Sequence, residues 1–542
     1  MSSTLYRHGV VHTSADPFAE AVLVEDGVVA WLGADDTADG FAARADHVVD
    51  LDGALVTPGF VDAHVHVLET GLALESVDLS PAGGVHCLAD ALAAVARAAA
   101  SRSDGAGPVL GFGWDELAWP EGRPPTRDEV DAAAGGAPVY LARVDVHSAV
   151  VSSSLAAASG ADRADGWSAD GRVERDAHHV AREAARAVQP ERRTALYERA
   201  LAHAAARGVV SVHEHSAPSI DTRAGLVELL ELTADAAAGF PHLAAYRGEL
   251  CVTVDDARQL MATIPGLTGI GGDLNVDGSI GSRTAALRSA YTDAPGTRGT
   301  LYLAAEQIAN HITAVSRARL QSGFHVIGDA AMDEVLLGLR AAADVEGAPA
   351  LARTGLRLEH AEMVDAPTLA ALVLLGVRLS VQPAFDAAWG GTEGMYATRL
   401  GAGRAAALNP FADLAGAGVP LAFGSDSPVT SLDPWAAVRA AAFHHEPEQR
   451  ISARAAFRAA SRGGWRLAGH DQVGELRVGS PAHLAVWETE SLVVQAPDGR
   501  LSAWSPDAQA GIPLLPDLSP EAVPPRCLRT VRDGVVIFDA LG

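Results

Sequence analysis

Short apolar runs alternate with Ala-rich helical stretches through the middle of the chain. GVVSVHEHS, GGDLNVDGS, GFHVIGDAA, LRLEHAEMVD, VRLSVQPAF and PLAFGSDSPV read as strands. AAMDEVLLGLRAAADV and APTLAALVLLG read as helices between them. Such alternation predicts a parallel sheet covered by helices. Six or more units of this kind over roughly 250 residues fit an α/β fold, a (β/α)8 TIM barrel, here placed at 58–470. Residues from about 70 to 200 break the pattern with GPVLGFGWDE, PVYLARVDVHS and a polar, Ala-rich helix over 173–207. They predict a large insertion after the first barrel strand, so the barrel is a distorted one.

Both ends of the chain differ from the middle. AVLVEDGVVAWLG pairs two β-rich runs around Glu25-Asp26-Gly27, a hairpin signal. HVVDLDGALVTPGF continues in that style, and GELRVGSPAHLAVWE and RTVRDGVVIFD repeat it near the C-terminus. Domain termini often lie close together, so 1–57 and 471–542 are expected to build one small composite β-sandwich, with the Pro-rich 505–526 as a loop.

Composition narrows the chemistry. The 542 residues carry 41 Lys+Arg against 68 Asp+Glu, a net charge of −27, and all 41 basic residues are arginine. With no lysine, a Schiff base, a phosphate-loop lysine and a carboxylated-lysine metal bridge are all excluded. The acidic balance argues against nucleic acid or an anionic membrane surface as partner. Cys87, Cys251 and Cys527 are far apart and lack CxxC spacing, which fits a reducing compartment. The N-terminal stretch has no signal-peptide pattern, and no apolar run reaches the roughly 18–20 residues that span a bilayer. A cytoplasmic protein is expected.

Polar residues gather at the strand ends. TPGFVDAHVHV holds His64 and His66, and residues i and i+2 of a strand share a face. His325 closes GFHV, His360 closes LRLEH, and Asp426 closes LAFGSD. The C-terminal strand ends of a barrel converge on one face, so four imidazoles and a carboxylate would meet there. Such ligands suit zinc, or less specifically iron or manganese.

TPGFVDAHVH, GFGWDELAWPEGRPPTRDE, YLARVDVHSAV, DGSIGSRTAAL, HVIGDAAMD, RLEHAEMV and FGSDSPV occur in one order along nearly the whole chain. Together they resemble the amidohydrolase superfamily, and within it the amidohydrolase-3 or YtcJ-like branch that includes N-substituted formamide deformylases. The resemblance implies His64, His66, His325, His360 and Asp426 as metal-centre residues, a small-molecule substrate, and a homodimer. A divalent metal brings the pKa of its bound water to about 7. Asp426 can then take the proton and pass it to the leaving nitrogen, while His360 orients the hydroxide or binds a second metal. The expected reaction is hydrolysis of a C–N bond in an amide or N-substituted formamide. The alternatives are deamination of an amino-substituted heterocycle and a non-catalytic barrel scaffold.

The chain departs from this branch at one position. Relatives carry a lysine, modified by carbon dioxide, where this chain has Asp273 in DLNVDGS. The Asp273 carboxyl carbon lies about four atoms closer to the backbone than a carbamate carbon would, so it is not expected to reach the bridging position without backbone movement. The expectation is one zinc ion per chain on His64, His66, His325 and Asp426, with His360 beside it. Asp273 and Glu214 are the candidate extra carboxylates, and His213 and His215 form a second HxH. A smaller departure is His483, where relatives usually show an aspartate.

Substrate-binding candidates come mainly from the insertion. Trp114 offers a flat apolar wall, beside Asp115. Arg143, Asp145 and His147 alternate along one strand face. Arg143 either forks onto a substrate carboxylate or pairs with Asp145. Ser279 and Arg283 in DGSIGSRTA, and more weakly Gln382, complete the set. By resemblance the insertion covers the barrel mouth.

Overall fold

A computed structural model of the chain describes residues 2–102, 107–116, 119–143, 148–495, 504–505 and 513–541. Its centre is an eight-stranded parallel sheet: β1 (Phe60–Val65), β2 (Val209–Ser216), β3 (His242–Arg247), β4 (Leu267–Ile270), β5 (Gln321–Val326), β6 (Arg357–His360), β7 (Arg378–Val381) and β8 (Leu421–Phe423). Each strand pairs with its sequence neighbour. The two edges nearly close into a barrel: Ser427 bridges Val65, and Asp426 N–H donates to His64 O at 2.8 Å. Every residue of β1, β2 and β6 is buried, as strands with helices on one side and packed barrel interior on the other must be.

Two sequence readings change here. GGDLNVDGS was expected to be a strand. The strand is instead the preceding LTGI of β4, and Gly271 (φ 123°) and Gly272 (φ 76°) turn the chain out of the sheet. Only glycine adopts such angles readily, so Asp273 stands on a loop beyond the strand end. The 173–207 helix is two helices, Arg175–Arg186 and Pro190–Ala205. The break falls before Pro190, because a residue preceding proline avoids the α conformation.

The chain ends form two antiparallel-rich sheets. One, from 3–50, has the order Val28–Gly33, Ala21–Glu25, Ser3–Arg7, His47–Asp50. The other joins Val10–Val11 and Leu55–Pro58 to Leu484–Glu488, Arg526–Arg532 and Val535–Asp539. Tyr6, Val22, Val56, Leu484 and Val531 share one core between them. The Asp26-Gly27 and Asp533-Gly534 turns have positive φ at both residues, as two-residue hairpins of this type require. His483 stacks on Trp465 with ring centroids 4.9 Å apart and accepts from Asp533 N–H at 3.2 Å. Within the Pro-rich stretch, Leu515–Pro516 pairs with Leu492–Gln495 rather than lying in a loop.

Residues Leu68–Ala200, between β1 and β2, form a second compact unit. Its five-stranded sheet runs Arg172–Val173, Ala149–Val151, Val139–Arg143, Val109–Trp114, Val77–Asp78. Val139 and Leu141 enter one core and Tyr140 and Ala142 the other, as strand alternation dictates. Among the described residues no helix is long and apolar enough to cross a membrane.

Candidate metal centre

β1 positions Asp62, His64 and His66 in phase. Asp62 is buried and its carboxylate accepts from Ser425 N–H at 2.8 Å, tying the segment after β8 to the first strand. Beyond β8 the chain takes φ 53° at Asp426, which places Asp426 Oδ1 3.1 Å from His66 Nε2 and 3.5 Å from His64 Nε2. Asp273 approaches the same imidazoles. Its Oδ2 lies 3.2 Å from His66 Nε2, and its Oδ1 lies 3.5 Å from His64 Nε2, 3.8 Å from His325 Nδ1 and 4.0 Å from His360 Nε2. Asp273 therefore lies within 4.0 Å of all four histidines. The chain turns at Gly271 and Gly272 immediately before Asp273, with backbone angles that favour glycine.

The outer nitrogen of each imidazole is already engaged. His64 Nδ1 lies 2.9 Å from Glu359 Oε2, His66 Nδ1 3.1 Å from His215 O, and His325 Nε2 3.4 Å from Gly278 O. A carboxylate or carbonyl only accepts, so each of these nitrogens donates, and in the neutral imidazole the other ring nitrogen carries a lone pair. His360 Nδ1 meets Gln382 Oε1 at 2.9 Å in the same sense. Four lone pairs thus face two carboxylates. His64 Nε2 and Asp273 Oδ1 are buried without a hydrogen-bond partner among the described residues. Acceptors facing acceptors at this depth call for a cation, and imidazole plus carboxylate is a donor set that zinc, iron and manganese accept. The residues fit the metal that the sequence implied.

Grouping by ligand distance gives His64–His66–Asp273 and Asp273–His325–His360, which share Asp273 alone, and also His64–His360–Asp426. The expected residues His64, His66, His325, His360 and Asp426 are gathered in one place, with Asp273 added to them. Electrostatics follows the same layout. Burial opposes charge on His64, yet the Asp273 and Asp426 carboxylates hold its pKa well above the ordinary value, and His66 and His325 are raised too. His360, by burial and the nearby His325, is lowered to about 4.

Several supporting residues were not singled out from the sequence. Glu359 is fully buried between His64 and Arg357, whose guanidinium meets it at 2.5 and 2.9 Å. Asp277 accepts from Ile327 N–H, Gly328 N–H and Ala286 N–H at 3.0, 2.8 and 2.8 Å, fixing the chain that follows His325. The signal was present: Arg357 and Glu359 alternate in a strand with no solvent face.

Glu214 stays outside the ligand groups. It accepts from Val67 N–H at 2.6 Å, and burial pushes its carboxyl up to about 7. His215 lies flat between His64 (4.1 Å) and Tyr246 (4.9 Å), and His213 accepts from Arg357 at 3.1 Å. In the 68–200 unit, Trp114 is buried in the core, its indole N–H donating to Leu141 O. It therefore presents no open wall there. Arg143 pairs with Asp115 and Glu116 at 3.1 and 2.9 Å. Asp145 and His147 lie outside the described residues. Arg283 forks onto Asp293 at 3.1 and 2.8 Å, and Ser279 Oγ meets Ser282 Oγ at 2.8 Å, so both engage neighbours on their own loop.

A nearly closed parallel barrel with histidines and aspartates gathered at its C-terminal strand ends defines a metal-dependent hydrolase of the TIM-barrel kind. The family is then plain: the model of the Amidohydrolase family (Amidohydro_3) matches residues 47–538, and the chain belongs to it. It is 26% identical over 451 residues to the putative amidohydrolase YtcJ of Bacillus subtilis (strain 168), covering 78% of this chain and 80% of that protein. A stretch of 160 residues is 32% identical to the N-substituted formamide deformylase of Arthrobacter pascens, 29% of either chain. An uncharacterized metal-dependent hydrolase from Pyrococcus furiosus superposes with a TM-score of 0.73 at 27% identity, over 89% of this chain and 98% of the other.

Proposed function

We propose that the chain hydrolyses a C–N bond of a small amide or N-substituted formamide, at a centre whose residues would hold two zinc ions. The observation that carries this is the convergence of six ligand-type side chains with their lone pairs turned inward. A bound divalent cation supplies an acidified water and a polarised carbonyl. His64, His66 and Asp426 would hold one ion and His325 and His360 the other, with Asp273 between them. Asp426 Oδ1 takes the proton of the attacking water and returns it to the departing nitrogen. Glu359 and Gln382 keep His64 and His360 in the tautomer that leaves Nε2 free to ligate.

The test combines metal analysis with product analysis. About two zinc ions per chain are expected, falling to one or fewer in Asp273→Ala. Asp426→Asn should keep the fold and lose at least about 100-fold in kcat. Amine and carboxylate (formate from a formamide) should appear in equal amounts. Release of ammonia from an amino-heterocycle in place of amide cleavage would assign deamination instead, and near-wild-type turnover by Asp426→Asn would remove its proton-transfer role.

A further inference from the structure

β2 carries a second pair of in-phase histidines, His213 and His215, and the proposed reaction uses neither. His215 is fully buried and stands in register with Tyr246 on β3. Three rings form one pile. The His64 and His215 centroids are 4.1 Å apart with planes 4° from parallel, and those of His215 and Tyr246 are 4.9 Å apart at 3°. The Arg357 guanidinium lies over the Tyr246 ring, 4.4 Å from its centroid. Arg357 in turn pairs with Glu359 at 2.5 and 2.9 Å, and Glu359 Oε2 meets His64 Nδ1 at 2.9 Å. Five side chains from β1, β2, β3 and β6 thus form a closed circuit that begins and ends on one imidazole. Both edges of the His215 ring are occupied. Nε2 donates to Ala63 O at 3.3 Å, and a Cβ on Gly272, immediately before Asp273, would lie 2.0 Å from Nδ1. The His215 carbonyl oxygen accepts from His66 Nδ1 at 3.1 Å.

The χ2 torsion of a histidine is soft. The Glu359 contact at Nδ1 selects the tautomer of His64, but one contact at a ring edge leaves the ring plane free to swing about it. A flat ring against the face of the imidazole removes that freedom, because aromatic faces attract in parallel, offset arrangements. A guanidinium over the last ring is drawn to its π face and closes the far end of the pile. We propose that His215 and Tyr246 are positioning residues for the metal centre. Their stacked rings fix the plane of His64 so that Nε2 faces Asp273 and Asp426, and the His215 carbonyl orients His66 in the same way from the main chain. The inference deepens the amidohydrolase reading and rests on its metal centre.

The test reads zinc affinity by competition with a chelator, and ligand geometry by the visible spectrum of the cobalt-substituted protein. Tyr246→Leu removes the outer ring. His215→Gln keeps a nitrogen donor for Ala63 O and removes the inner one. Each should lose about 10-fold or more in zinc affinity, as groups that orient a metal ligand do, and each should change the cobalt spectrum. Tyr246→Phe gives up only the hydroxyl bond to Gln321 Oε1 at 2.8 Å and should keep wild-type affinity and spectrum. Unchanged affinity and spectrum in either Tyr246→Leu or His215→Gln, or an equal loss in Tyr246→Phe, overturns the proposal. If Tyr246→Leu does not fold, His215→Phe decides, since it keeps a ring and gives up the nitrogens: retained zinc affinity there supports the pile, and a loss equal to that of His215→Gln overturns it. Because affinity is read without turnover, the two readings fail separately. A wild type that binds zinc and cleaves no amide would overturn the hydrolase assignment alone, and undiminished zinc affinity in variants of an active amidohydrolase would overturn the positioning role alone.

Discussion

At the scale of the residue, the imidazoles of the candidate centre are backed by buried charged groups. Arg357 is a guanidinium with no exposure, held by Glu359 and lying 4.4 Å from the centroid of the Tyr246 ring. Glu359 gives its other interaction to His64 Nδ1. Removing its charge strands a buried cation and releases the His64 tautomer together. Breaking one partner of a buried pair costs about 3–5 kcal/mol, and loss of a carboxylate behind a metal-binding imidazole costs about 10–100-fold in metal affinity. Glu359→Gln is expected to show both losses, by urea unfolding and by zinc titration. Wild-type stability would mean that Arg357 finds another anion. The sequence revealed His64, His66, His325, His360 and Asp426, because HxH phase and strand-end position are local patterns. Glu359 stood next to His360 and carried no spacing motif, so only its phase with Arg357 could have marked it.

At the scale of the element, the site is set by how strands end. The barrel strands were legible because alternation of short apolar runs and helices is a local signal. Their ends were not, because a turn depends on the backbone angles of one or two residues. Asp273 shows this: it lies just past Gly271 and Gly272, whose positive φ no sequence pattern marked. The closure of β8 onto β1 is equally tight. A Cβ on Gly424 would lie 2.5 Å from His64 Cβ and 2.6 Å from His64 N. The neighbour is backbone and cannot give way alone. Gly424→Ala should therefore displace His64 or Asp426, cost about 1–3 kcal/mol as overpacking does, and weaken zinc binding in the same titration. Gly403→Ala, where a Cβ meets nothing within 4 Å, should leave both quantities unchanged. Equal behaviour of the two variants would show that β8 shifts without consequence for the centre.

At the scale of the whole molecule, the chain ends meet the barrel at several places, among them an aromatic cluster. Trp487, on the strand Leu484–Glu488, is 1% exposed and its indole N–H donates to Thr57 Oγ1 at 2.9 Å. Its ring packs against Phe60 at the start of β1 and against Trp435, at centroid distances of 5.6 and 5.5 Å. A Cβ on Gly208, just before β2, would come within 2.3 Å of it. The C-terminal strand thus buttresses the start of the same strand that carries His64 and His66 at its other end. Truncating a buried Trp costs about 3–5 kcal/mol. Trp487→Ala should lower the unfolding free energy by that amount while zinc stoichiometry in the folded protein stays at the wild-type value, because the five residues from Val61 to Val65 lie between Phe60 and His66. Thermal unfolding and metal analysis on one preparation check the pair of outcomes. Loss of zinc at full stability would show instead that the terminal sheet holds the ligands in place directly.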